Sequence, residues 1–283
     1  MTNLSGITGV LSHKAFTLTA CLAGLVLVGC NNSQNTTTDS TDTPAGGDTQ
    51  GEVIGDVIKV ATESSYPPFS YMDASGKEAG FEIDLINALC AEMKATCEIR
   101  SQDWDGLIPG LKSKKFDAAI AGMSITPERL EVVDFTNPYF ESGIILISKV
   151  GSGITLDNLD GKAVGAQRST VSSQYLADKY PKADAQLYDT QENGFIDMTN
   201  GRLNAMVVDQ IIGINWLSTE ATSDYEQVGE TISTGHDSMG IAVRKGDPLK
   251  GKFDMALDAI RANGTYDRIN NEYFGKIDAK PAQ

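Results

Sequence analysis

In the run IAGMSITPER, Arg129 stands three residues after Thr126. Thr-Pro is a helix start signal, so this guanidinium belongs to a first helical turn, at the dipole end where acidic side chains are favoured. It is either a solvated surface charge or a group placed to meet an anion. Backbone N–H groups and a bidentate guanidinium together would make a carboxylate receptor. Three further places carry complementary chemistry. Asp209 directly follows the apolar run 205–208 and precedes a helical stretch, where it can cap the helix or face an ammonium group. Glu63 and Tyr66 lie in ATESSYPPF, with Tyr66 before a rigid diproline. Trp104, in QDWD, serves the core or, beside a carboxylate, offers an aromatic face to a planar or extended cation.

Other chemistry finds little support. There are two histidines, His13 near the start and His236 in a polar TGHDS loop. A Ser-His-Asp arrangement would have to be built on His236, which reads as a surface residue, and no Cys/His cluster has metal spacing. Gly151-Ser152-Gly153 continues into neither phosphate-binding glycine pattern. No cofactor or metal is expected. With 23 Lys and Arg against 38 Asp and Glu, the net charge of −15 opposes nucleic-acid binding and suits a cationic ligand.

These residues need a frame. Lys14 is followed by an uncharged, largely apolar run, 15–29, shorter than the roughly 20 residues of a spanning helix and typical of an export signal. Its end, LVGC, resembles the lipobox of bacterial lipoproteins, which implies a signal at 1–29 and lipid on Cys30; the alternative is an ordinary signal cut nearby. Residues 30–57 are polar, lack Lys and Arg, and read as a flexible tether. Beyond it, strands are expected at 57–62, 98–100 and 116–121, with helices at 81–93, from 107, and after Thr126-Pro127. The pattern restarts with strands at 163–167, 185–188 and 205–208 alternating with helices at 171–179, 192–199 and 211–217. A strand at 240–243 returns to the first unit, followed by a helix at 249–262 and a short final helix. Such alternation implies an α/β fold with mostly parallel strands, which binds ligands beyond the carboxyl ends of its strands. The lobes expected are 58–144 plus 240–278, and 145–239, joined by two crossovers.

Cys21 falls in the signal and Cys30 is the lipidation candidate, leaving Cys90 and Cys97. Export favours a disulfide between them, two free buried thiols being the alternative. Seven residues of continuous helix would hold the Cα atoms about 10 Å apart, too far for a bridge. The helix must then end near Met93.

Together, ATESSYPPF, GFEIDLINALC, WDGLIPGLKSKKFDAAIAGMSITPER, DFTNPYF, GIAV and ANGTYDRI resemble the solute-binding proteins of polar amino-acid ABC transporters, in the branch binding lysine, arginine, ornithine and histidine. The resemblance covers about 58–274. It implies a two-lobed, type II periplasmic-binding-protein fold, no enzymatic activity, a basic L-amino acid ligand, and delivery to an ABC permease. It further implies a monomer in the periplasm or at the cell surface, lipid-anchored to a membrane. By the resemblance, Arg129 pairs with the ligand α-carboxylate, assisted by backbone N–H groups at Gly122 and around Thr170-Val171. Ser124 and Asp209 hold the α-ammonium, Tyr66 and Trp104 flank the side chain, and Glu63 meets the distal cation. Cys90 and Cys97 match a disulfide of that branch. Two departures stand out: Ser169-Thr170-Val171 replaces a common Gly-Thr-Thr, and Arg168 is unusual near a cationic ligand. Pointing inward, Arg168 would favour a ligand with an extra carboxylate, such as an opine; pointing outward, it is surface. Arogenate or prephenate dehydratases share the fold and form the enzymatic alternative, and a signalling receptor is a further one.

Overall fold

In the computed structural model, which describes residues 56–275, the strand Val57–Thr62 lies second in a five-stranded sheet. Thr96–Ser101 and Ala118–Ala119 flank it, both parallel. Ala242–Arg244 then enters antiparallel, and Val133–Phe135 closes the edge antiparallel to it. The second sheet repeats this plan. Asp184–Tyr188, Ala163–Gln167 and Ala205–Asp209 are parallel, Ile144–Lys149 runs against them, and Tyr225–Ile232 runs against that. Each sheet is therefore mostly one-directional, yet its single reversed strand makes the last two pairings antiparallel.

Each sheet centres one lobe of a type II periplasmic-binding-protein fold. The chain leaves the first sheet through Phe140–Glu141 and returns through Ser238–Met239, and these two crossover strands pair with each other. The expected strand at 116–121 is regular only over Ala118–Ala119. Its flanks still bond to the central strand, Asp117 N–H to Lys59 O at 2.8 Å and Ile120 N–H to Ala61 O at 3.0 Å. Ile144–Lys149 and Tyr225–Ile232 escaped sequence reading. IILIS is a continuous apolar run with no period to separate strand from buried helix, and Tyr225–Ile232 shows no clean alternation of buried and exposed positions. The signal at 1–29, Cys30 and the tether up to residue 55 lie outside the described residues. No helix among the described residues is long and apolar enough to cross a membrane.

The helix Phe81–Glu92 buries Phe81, Leu85, Ile86 and Leu89 against the helices Leu249–Ala262 and Thr265–Phe274. The Phe81 ring lies 4.9 Å from that of Phe274 and 5.6 Å from that of Phe140, centroid to centroid. Phe140 belongs to a crossover strand, so this aromatic cluster anchors the crossover to the first lobe.

The same helix stops at Glu92, with Met93 as its cap, and Lys94 takes a positive φ of 54°. That reversal returns Cys97 beside Cys90, and the two are bridged with Cα atoms 6.0 Å apart. Closing so short a loop stabilises by about 2–3 kcal/mol. Cys90→Ser with Cys97→Ser is therefore expected to lower the Tm by roughly 5–10 °C. An unchanged melting curve would show that the bridge adds nothing.

Candidate ligand-binding site

Every expected site residue follows the carboxyl end of a parallel strand. Glu63 and Tyr66 come after Val57–Thr62, and Trp104 after Thr96–Ser101. Gly122, Ser124 and Arg129 come after Ala118–Ala119, Thr170 and Val171 after Ala163–Gln167, while Asp209 ends its own strand. All nine line one small cavity between the lobes, together with Gln167, Ser172 and Gln191. Its volume of about 20 Å³ holds about one water molecule, so the lobes meet across it by their own side chains. Gln167 Nε2 donates to Glu63 Oε1 at 2.8 Å, and Gln191 Nε2 to Tyr66 Oη at 3.4 Å. Wider openings flank it: about 490 Å³ beside Arg129, Thr170 and His236, and about 520 Å³ beside Glu63, Trp104 and Asp189.

Thr126 caps the helix Pro127–Val132 by accepting the Arg129 N–H at 3.3 Å, which fixes where the arginine side chain starts. Its guanidinium donates to two carbonyls, Ser124 O at 2.7 Å and Ser169 O, in the other lobe, at 2.9 Å. It also lies 5.2 Å from the Trp104 ring centroid, and the Trp104 Nε1–H shares Ser169 O at 3.3 Å. No carboxylate among the described residues pairs with Arg129. Loss of hydration lowers its pKa to about 10, so it stays charged at neutral pH. Ser169 itself holds a positive φ of 58°, a conformation that glycine adopts without strain. The second lobe thus keeps the glycine-like turn although the glycine is absent.

The carboxylates of the cleft are buried, and burial is the main cause of their shifts. Asp209 accepts from Ser142 Oγ at 2.9 Å and from Ile211 N–H at 3.0 Å, so it caps its helix and lines the cavity at once. Burial raises it to about 7. Glu63 is likewise pushed up to about 7, opposed by its bonds from Gln167 and Ser65. A third, Glu82, is fully buried in the helix Phe81–Glu92 and also rises to about 7.

Glu82 engages one of the expected donors. The Gly122 N–H, expected to reach the ligand, donates to Glu82 Oε1 at 2.6 Å. Gly122 instead contributes a positive φ of 57° and the absence of a side chain, since a Cβ would stand 2.6 Å from the Tyr66 ring. The Thr170 N–H is also engaged, by Ser173 Oγ at 3.2 Å within a capping box. Val171 and Ser172 line the cavity, and as first-turn residues their N–H groups have no partner within the helix. Trp104 presents its ring to Arg129. Arg168 turns outward, 2.5 Å from Asp189 and 4.0 Å from Asp105, outside the cavity lining. His236 borders the opening beside Arg129.

Sequence reasoning missed Glu82, Gln167 and Gln191. Gln167 ends a strand as Asp209 does, and Gln191 opens the helix after Asp184–Tyr188, so the strand-end rule applied throughout would have found both. Glu82 carried no such signal, because an acidic residue in a first helical turn reads as ordinary.

Comparison with known proteins shows which family the chain belongs to. The L-arginine-binding protein of Pseudomonas aeruginosa is 39% identical over 226 residues, spanning 77% of this chain and 87% of the relative. The lysine/arginine/ornithine-binding periplasmic protein of Escherichia coli is 34% identical over 230 residues, spanning 78% and 88%. A Salmonella typhimurium periplasmic binding protein, whose structure is described as the basis of high arginine specificity, superposes with a TM-score of 0.73 at 36% identity, covering 78% of this chain and all of that one. With a family model matching residues 58–276 as well, the chain belongs to the bacterial extracellular solute-binding proteins, family 3.

Proposed function

We propose that this protein is the extracytoplasmic receptor of an ABC importer for a basic L-amino acid: arginine, lysine or ornithine, with histidine a further candidate. The observation that carries this reading is the Arg129 guanidinium, held between two lobes with only carbonyl oxygens as hydrogen-bond partners among the described residues. Buried or half-buried charges are normally paired with opposite charge, and a ligand α-carboxylate would supply the missing anion. The N–H groups of Val171 and Ser172, at a helix N-terminus, would share it. Asp209 and Ser124 would take the α-ammonium, Tyr66 and Trp104 would flank the side chain, and Glu63 would meet the distal cation. Relatives that bind arginine or lysine, arginine and ornithine support the specificity. The outward Arg168 gives an opine's extra carboxylate no partner in the cavity.

The lobes, 58–144 with 240–278 and 145–239, would close about the paired crossover strands, the hinge motion for which periplasmic binding proteins as a class are known. A ligand touching Arg129 on one lobe and Asp209 on the other stabilises the closed form, which docks on the permease. The LVGC run supports lipid anchoring through Cys30 to a membrane facing the periplasm or cell exterior; a monomer is the state proposed.

Thermal unfolding with each amino acid tests the reading. At 1,000 times its dissociation constant a ligand stabilises by about 4 kcal/mol, so arginine, lysine or ornithine should raise the Tm clearly and glutamate should not. Hydrogen bonds to charged groups contribute about 1.5–3 kcal/mol each. Arg129→Ala and Asp209→Asn should therefore weaken binding by about tenfold to a hundredfold, and Glu63→Gln should weaken it chiefly for ligands with a distal cation. Full affinity in Arg129→Ala would remove the site assignment.

The raised carboxyls give a second test. Glu63, Glu82 and Asp209 sit near 7 when folded and near 4 unfolded. Their contribution is fully present below pH 4 and is lost as pH rises through 7, so the ligand-free Tm should fall over that window. Ionised Glu63 and Asp209 hold a cationic ligand better, so arginine affinity should rise over the same window. Affinity that is flat from pH 5 to 8 would separate these carboxyls from the ligand.

A further inference from the structure

Gln191 opens the helix Gln191–Thr199 and is 3% exposed. Its Nε2 donates to Tyr66 Oη at 3.4 Å, while its Oε1 is buried and has no partner among the described residues. An orphaned acceptor in a protein interior is costly, and natural structures keep few of them. This one belongs to a residue lining the cleft beside Glu63, Tyr66, Gln167 and Asp209.

The donor and acceptor inventory of the cleft gives it meaning. Gln167 Nε2 is already committed, to Glu63 Oε1 at 2.8 Å and Asp189 O at 3.0 Å. The Nε2 of Gln191 is committed to Tyr66. What Gln191 adds to the lining it shares with Glu63 is therefore an acceptor, its Oε1. A guanidinium or ammonium carries only donors, whereas a carboxamide or ureido group also carries a carbonyl oxygen. Opposite Oε1, that carbonyl would leave two acceptors facing each other.

We infer that Gln191 is a specificity-determining residue, its carboxamide oxygen accepting an N–H from the distal cation of the bound amino acid alongside Glu63. This rests on the reading of the cleft as a basic amino-acid site. The residue acts by rejection as much as by attraction: a side chain ending in a carbonyl loses the bond and gains a repulsion, while an aliphatic chain strands the oxygen.

Calorimetric titration of the protein and its Gln191→Leu and Gln191→Met variants with arginine and citrulline tests this. Citrulline replaces one guanidinium nitrogen by a carbonyl oxygen at nearly constant shape. The wild-type protein should prefer arginine. Both variants should bind arginine about tenfold more weakly and lose part of that preference. A purely structural glutamine would leave the arginine-to-citrulline ratio unchanged, and that result overturns the inference. Wild-type arginine affinity in both variants also overturns it. Failure of the wild-type protein to bind any basic amino acid would instead defeat the reading of the cleft on which it rests.

Discussion

A guanidinium that pairs with no carboxylate among the described residues ties the two lobes of this molecule together. Arg129 is held in place by the Thr126 cap, backed by the Trp104 ring and bonded to one carbonyl from each lobe. Carbonyl oxygens carry only partial charge, so they satisfy its geometry and leave most of its electrostatic demand unmet. In the proposed reading a ligand carboxylate supplies the rest. A carboxylate reaching Arg129 would displace the Ser169 carbonyl and bring the helix N-terminus at Val171 and Ser172 into the same contact.

The acidic groups answer that cation without neutralising it. Asp209 is anchored by Ser142, which lies next to the first crossover strand, and by the helix it caps. Glu82 ties the turn at Gly122 to Tyr139, whose hydroxyl donates to the same carboxylate oxygen. The Tyr139 N–H in turn donates to Met239 O in the returning crossover strand at 2.9 Å. The binding loop and both crossovers are thus joined through one buried carboxyl. A small shift of the loop is felt at the hinge, because packed interiors transmit displacement rather than absorb it.

Much of this was legible in the sequence, for a physical reason. Strand-helix alternation places the carboxyl ends of the parallel strands on one side, so residues just past VIKVAT, FDAAIA, AVGAQ and AMVV had to converge. The helix end near Met93 followed from the span of a disulfide alone. Orientation and partnership were hidden. That the Gly122 N–H serves Glu82, that Arg168 turns to Asp189, and that Gln167 crosses to Glu63 depend on contacts 21 to 104 residues apart. No local pattern encodes those. The strand Ile144–Lys149 was invisible for a different reason, because a run buried on both faces has no periodicity to read.

A crystal structure of the protein grown with saturating arginine would test the account most directly. The account predicts one arginine between the lobes, with its α-carboxylate within about 3 Å of the Arg129 guanidinium and its side chain running between Tyr66 and Trp104 toward Glu63. A ligand bound with its carboxylate away from Arg129, or a cleft that takes up no arginine, would contradict it.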